Sequence, residues 1–567
     1  MKRAISYAII LFVIGFEVFD ANQAFGQSNS IKKVHTTIDR LIIPDFVPAI
    51  PLVKIDNPAD FEKFGYGKWH YGPGLPVQKR FDLMPAGYTL TQESGGKQLL
   101  RFFTISDIHI TDKESPAQAI YFAPWAKQNA ISVYSPLMLY TTHVLDAAIR
   151  TINLLNKENK FDLGLSLGDA ANSTQYNEVR WFIDVIDGKE ITPCSAVNDG
   201  TGKEKKFLYQ AKYKAEGLYK SIPWYSVIGN HDHFWMGSKP VNDKIRSTLT
   251  GSKILQTGNI FTDPDALNKN DFSLGTLDGN TEYGTITGMG VVSKMKEIPE
   301  IAPDPDRRSL SIQEWISEFS NTTTEPKGHG FEYTDNIFGG CYTFEPKAGI
   351  PLKVIVLDNT QSDDEPPAKE GIYGHGSLSN GRYDWLMAQL KAGQDEGKLM
   401  IIAAHIPIGV EMNSPMDWIP APGFKSEADL ISQLQSYSNL ILWVSGHRHL
   451  NKVTPFPSKD ATHPENGFWE VETKSLREFP QQLRTFDILL NKDNTISIVT
   501  VNVDPEVREG ETAAISRSYA IASNQIYGLY EAPEPTGSVS YNAELVKKLS
   551  PEMEKKLAQM IRDFREP

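Results

Sequence analysis

Ser226-Val-Ile-Gly-Asn-His-Asp-His233 is the stretch from which the rest of the chain can be read. The apolar run 224–228 reads as a buried strand, and Gly229 lets it stop in a tight turn. Just beyond, Asn230, His231 and Asp232 are presented together at a strand end, where α/β proteins place their chemistry. A capping asparagine would explain that turn alone, but four other stretches repeat the pattern. Asp107-Ile108-His109 follows the run 99–105, and Gly168-Asp169 follows 163–167. His405 follows 399–404, and Gly446-His447-Arg448-His449 follows 440–444. Each is a short hydrophobic strand ended by a metal-competent side chain. Five of the chain's 12 histidines (His109, His231, His405, His447 and His449) stand at these ends. That is too many for unrelated strand caps, so the five clusters are read as one site.

As an ordered set, Asp-x-His, Gly-Asp, Gly-Asn-His-Asp, His and Gly-His-x-His resembles the calcineurin-like metallophosphoesterase superfamily, over residues 107 to 449. The resemblance implies an α/β fold, a four-layer α/β/β/α sandwich of two mixed sheets. It also implies that Asp107, His109, Asp169 and His449 bind one metal ion. Asp169, Asn230, His405 and His447 would bind a second, with Asp169 shared. The activity implied is hydrolysis of phosphomonoesters or phosphodiesters by a metal-bridging hydroxide, with His231 as proton donor and Asp232 placed to orient it. Two departures stand out. Many members carry a second acid soon after Gly-Asp, where this chain has Ala170-Ala-Asn172. The tyrosine of purple acid phosphatases is also missing there, so a tyrosinate-bound ferric iron is not expected.

Carboxylates, imidazoles and one amide oxygen suit Mn, Fe or Zn as divalent ions, and no nearby cysteine points to a thiolate site. Two divalent ions against two aspartates leave a local excess of about +2, which suits a phosphate-ester substrate. Arg448, between two of the histidines, either touches that phosphate or points away by strand alternation.

The chain has 567 residues, 40% of them hydrophobic, which is ample for a large core. A net charge of −13 argues against nucleic-acid polymers and anionic membranes as partners. Residues 1–26 read as a signal peptide: Lys2 and Arg3, an apolar core over 4–16, then Ala24-Phe25-Gly26 as a small-x-small cleavage site. That core falls short of the roughly 20 residues of a membrane-spanning helix, so no stable membrane anchor is expected. The protein is expected to be secreted or periplasmic, where Cys194 and Cys341 are free to pair but need not.

Residues 27–97 read as an ordered but irregular N-terminal extension rich in Pro, Gly and aromatics. Residues 98–505 read as the catalytic domain, interrupted at about 234–340 by a Gly/Thr/Asn-rich insert expected to shape the substrate pocket. Amphipathic spacing predicts helices at 144–155 and 178–186, and a further helix near 384–390. Ser426 begins a capping box. The runs 468–473, 484–490 and 495–503 look like a meander, with Asn491–Asn494 as its hairpin turn, completing a second sheet. Residues 506–567 form a C-terminal extension ending in a helix from Pro551. His143 is expected on a helix surface, and His329 and His375 in exposed Gly-rich loops. Specialised alternatives are a cyclic-nucleotide or phospholipid phosphodiesterase. An alternative of another class is a metal-containing binding protein without catalysis.

Overall fold

The strand that ends before Asp107 lies inside a seven-stranded mixed sheet in the computed structural model, which describes residues 33–48, 51–89, 96–118, 136–195, 211–258, 269–277, 286–333, 339–362, 365, 373–408, 423–527 and 540–565. In spatial order the sheet runs Gln78–Arg80, Ala543–Lys548, Thr495–Val503, Leu483–Leu490, Lys97–Ile105, Leu163–Ser166 and Trp224–Ser226. The last three are parallel, which brings Asp107, Asp169 and Asn230 to one edge. A six-stranded mixed sheet runs Tyr342–Phe344, Leu352–Leu357, Leu399–Ala404, Leu440–Ser445, Phe468–Glu472 and Lys452–Phe456. Its central parallel strands are near-continuous apolar runs buried on both faces, as strands covered on two sides must be.

The sheets face each other. Tyr225 of one stacks on Phe344 of the other with ring centroids 3.6 Å apart, and Trp469 Nε1 donates to the Val546 carbonyl at 3.2 Å. Helices Asn380–Asp395 and Glu427–Leu434 cover the six-stranded sheet, packing Leu386, Leu390, Leu430 and Leu434 against Met400, Ile402 and Trp443. Helices Thr141–Glu158 and Tyr176–Ile186 pack together. The layer order is α/β/β/α. Ser426 caps its helix by accepting from the Asp429 amide at 3.2 Å, and Ser550 accepts from Met553 at the start of Pro551–Arg565.

The meander is corrected. Phe468–Glu472 pairs in parallel with Leu440–Ser445 in the six-stranded sheet, whereas Leu483–Leu490 and Thr495–Val503 form a hairpin in the other. Residues 473–482 therefore carry the chain from one sheet to the next. The insert is also more regular than a loop. Its described residues include helices Asp243–Thr250 and Ile312–Glu318 and a three-stranded sheet over a core of Trp235, Ile245, Leu249, Ile254, Leu255 and Leu274.

Strands Gln78–Arg80 and Ala543–Lys548 lie outside 98–505, yet both complete the seven-stranded sheet. The N-terminal extension pairs Arg40–Pro44 with Trp69–Pro73, and packs Phe61 and Tyr66 against Ala522 and Ile526 of helix Thr512–Tyr527. Residues 1–26, which the sequence reads as a signal peptide, lie outside the described residues. Among the described residues, no helix is long and apolar enough to cross a membrane. Cys194 and Cys341 are both buried and form no disulfide.

Candidate metal centre

The loops at the strand ends hold their residues in an unusual backbone. Asp107 (φ 51°), His109 (φ 47°), Asp169 (φ 53°), His447 (φ 67°) and His449 (φ 55°) all adopt left-handed conformations. Non-glycine residues avoid this region, and strain of this kind gathers at functional sites. Two glycines permit the close approach. A Cβ at Gly229 would collide with Asp169, and one at Gly446 with Ser106 and the Asp107 carboxylate. Of the nine residues expected at the site, all but His231 are buried.

Two sets of donors result. His109 Nε2 lies 3.2 Å from His449 Nε2, which is 3.2 Å from Asp107 Oδ1. Asn230 Oδ1 lies 2.8 Å from His405 Nε2 and 3.1 Å from His447 Nδ1. Asp169 Oδ2 stands between the sets, 3.6 Å from His109 Nε2 and 3.4 Å from His405 Nε2. Asp169 Oδ1 faces the other way and accepts the His231 amide at 2.8 Å. Donors held about 2.0–2.2 Å from one ion lie about 3.0–3.4 Å from each other, so these spacings fit a metal's coordination shell. The donor types, oxygen and imidazole without thiolate, fit a borderline divalent ion. Within the described residues, Asp107, His109 and His449 form one cation-competent triad, and Asp107, Asp169 and His405 another.

Residues 100–355 match the calcineurin-like phosphoesterase family. Over that stretch, a little under half of its length, the chain is similar to that family. It is a metal-dependent phosphoesterase. The matched stretch contains Asp107, His109, Asp169, Asn230 and His231 and stops before His405, His447 and His449, which the second sheet brings to the same place. Among solved structures the chain is similar to a dimetal phosphatase from Danio rerio, at 12% identity and a TM-score of 0.37, over 72% of this chain and 98% of that one. No curated protein matches it.

In the phosphoesterase, ring orientation is fixed from behind the donors. His405 Nδ1 bonds the Leu167 carbonyl at 2.7 Å, and His449 Nδ1 pairs with the Glu478 carboxylate. Such partners set the tautomer and turn the other nitrogen inward. Burial acts against charge on both rings. The Asp169 carboxylate nevertheless lifts His405 to about 9, and Glu478 lifts His449 to about 10. Glu478 itself is held at about 2, its burial overcome by His449. A bound cation would take the place of those imidazole protons.

Asp232 is the correction among the site residues. Its carboxylate accepts three backbone amides, Gly229 (2.8 Å), Asp169 (3.0 Å) and Ala171 (3.0 Å), and does not touch the His231 ring. It braces the two loops. His231 is oriented instead by the Asn172 carbonyl, 2.8 Å from Nδ1, and its other ring nitrogen, Nε2, lies beside Gly237. Arg448 pairs with Glu472, behind the strand end. His143 is half-buried and stacked on Tyr213. His329 and His375 are buried and not in exposed loops. His329 stacks on Trp224 at 3.6 Å, and His375 adds a charge interaction to His447.

Sequence reasoning missed Asn172 as an orienting group, together with Arg477 and Glu478. The last two lie on the 473–482 crossover, a polar stretch without a motif. The available signal was its position, directly after a strand whose neighbour ends at Ser445, two residues before His447.

Proposed function

We propose that this phosphoesterase is exported and hydrolyses phosphomonoesters or phosphodiesters at a centre of two divalent transition-metal ions, Mn, Fe or Zn. The observation that carries this reading is the position of Asp169 Oδ2, within 3.6 Å of a donor in each set, so that one carboxylate oxygen serves both. Asp107, His109, Asp169 and His449 would hold one ion, and Asp169, Asn230, His405 and His447 the other. Paired ions, when bound, supply an activated water and neutralise phosphoryl charge.

The chain's own residues do the rest. Asp169 Oδ1 holds the His231 amide, which ties the acid to the shared carboxylate. His231, alone of the nine in not being fully buried, would give a proton from its free ring nitrogen Nε2 to a departing alkoxide. Asp107 is fixed by Ser106 and by the His447 amide at 3.1 Å.

The test is turnover of purified protein with Mn²⁺ across aryl monoesters, aryl diesters, cyclic nucleotides and phospholipids. Hydrolysis of at least one class, abolished by chelation, is expected. Absence of turnover with Mn, Fe or Zn across the panel would favour a metal-containing binding protein. Activity confined to cyclic nucleotides or phospholipids would define a specialised diesterase. With a net charge of −13, neither nucleic-acid polymers nor anionic membrane surfaces are expected partners.

Export rests on the order of charged, apolar and small residues in 1–26. Intact mass of protein from the native host should correspond to a chain starting at or near Gln27, outside the cytoplasm. A retained Met1 would contradict it.

A further inference from the structure

Arg477 is 1% exposed. Its guanidinium makes one hydrogen bond among the described residues, Nη1 to Asn172 Oδ1 at 2.6 Å, while Nε and Nη2 are buried with no partner. Burial holds its pKa down at about 10, so it remains a cation at neutral pH. A buried cation with unmet donors does not favour folding. The Glu478 and Glu178 carboxylates offset part of that cost by favouring its charge, yet neither meets the two open donors.

The bond it makes leads to the catalytic histidine. The Asn172 side chain turns away from His231. Oδ1 takes Arg477, and Nδ2 donates to Gln118 Oε1 at 3.0 Å. The Asn172 amide is held by the Ile110 carbonyl at 3.0 Å. With side chain and amide both tied down, the Asn172 carbonyl is left to bond His231 Nδ1 at 2.8 Å. On the far side the Thr174 amide donates to the His231 carbonyl at 3.2 Å. The acid is gripped by one short segment, and Arg477 is the charged anchor of that segment.

We infer that Arg477 is a positioning residue for the proton donor, acting through the Asn172 side chain to fix the carbonyl that orients His231; this rests on reading His231 as that donor. No atom of Arg477 is placed on substrate. Its effect should follow the demand for the proton: a misplaced acid matters for a poor leaving group and little for a good one.

The experiment measures turnover against leaving-group pKa for wild type, Arg477→Met, His231→Ala and the double variant, with metal content on each sample. Arg477→Met should lose roughly 10–10²-fold on alkyl esters and less than about twofold on p-nitrophenyl esters. Its metal content should be unchanged, with no further loss when it is added to His231→Ala. Arg477→Lys, which keeps a positive charge beside Asn172, should recover part of the loss. If Arg477→Met does not fold, Asn172→Ala keeps the carbonyl, removes the anchor and should show the same selectivity. Equal loss across leaving groups in the variant that folds, or loss additive with His231→Ala, would overturn the inference. An even loss in His231→Ala itself would remove the donor reading and the clamp with it. A sloped loss there beside an even one in Arg477→Met would remove the clamp alone.

Discussion

Asp169→Asn is expected to lose metal from both halves of the centre and to lower turnover by roughly 10³–10⁵, the rate equivalent of the several kcal/mol that a metal clamp supplies. Asparagine is the informative replacement because it keeps the shape and tolerates the left-handed φ of 53° at this position. An amide has only one oxygen, whereas Asp169 uses both of its own. Oδ1 accepts the His231 amide, and Oδ2 stands between His109 and His405. In the variant, either the His231 amide or the ions must face an NH₂ group, and the negative charge is gone in both cases. Asn230→Ala touches only the His405/His447 set and should keep the other ion. Elemental analysis of the two variants beside wild type checks this. Full occupancy in Asp169→Asn would contradict a shared carboxylate.

His231→Ala is expected to keep both metals and the fold while turnover falls by roughly 10²–10⁴ for substrates with alkyl or sugar leaving groups. The ring contributes an Nδ1 bond to the Asn172 carbonyl and an edge-to-face contact with His109, with centroids 4.6 Å apart. Neither is a bond to an expected metal donor. For p-nitrophenyl esters the loss should shrink, because that leaving group departs as a stable anion. Loss of a ligand would instead damage all substrates alike. The check is turnover against leaving-group pKa with metal content on the same samples. A flat profile with metals retained would remove the acid role, and lost metal would make His231 a ligand. The second outcome has a geometric basis, since His231 lies with His109 and Asp169 in a triad whose donor atoms are within 4.8 Å of one another.

The strand ends were legible because two independent patterns coincide there, an apolar run and a metal-competent residue just past it. That was enough to place Asp107, His109, Asp169, Asn230, His405, His447 and His449 together. Sheet membership was not legible. The runs at 468–473 and 484–490 look alike, and nothing in either says that one pairs with Leu440–Ser445 and the other with Lys97–Ile105. The crossover between the sheets was lost with it, and so were Arg477 and Glu478. Asp232 was misread because its partners are backbone amides, which no residue name reveals. His329 and His375 were placed at the surface on account of their glycine neighbours. Long-range packing, such as His329 on Trp224, buries them instead.

Five strand ends from two sheets would build one centre for two ions, with Asp169 between them. Anomalous diffraction from Mn-loaded crystals tests it most directly. Two peaks about 3.5–4 Å apart are expected. One should lie among Asp107, His109 and His449 and the other among Asn230, His405 and His447, with Asp169 Oδ2 bonded to both. A single peak, or two peaks of which only one touches Asp169, would contradict it.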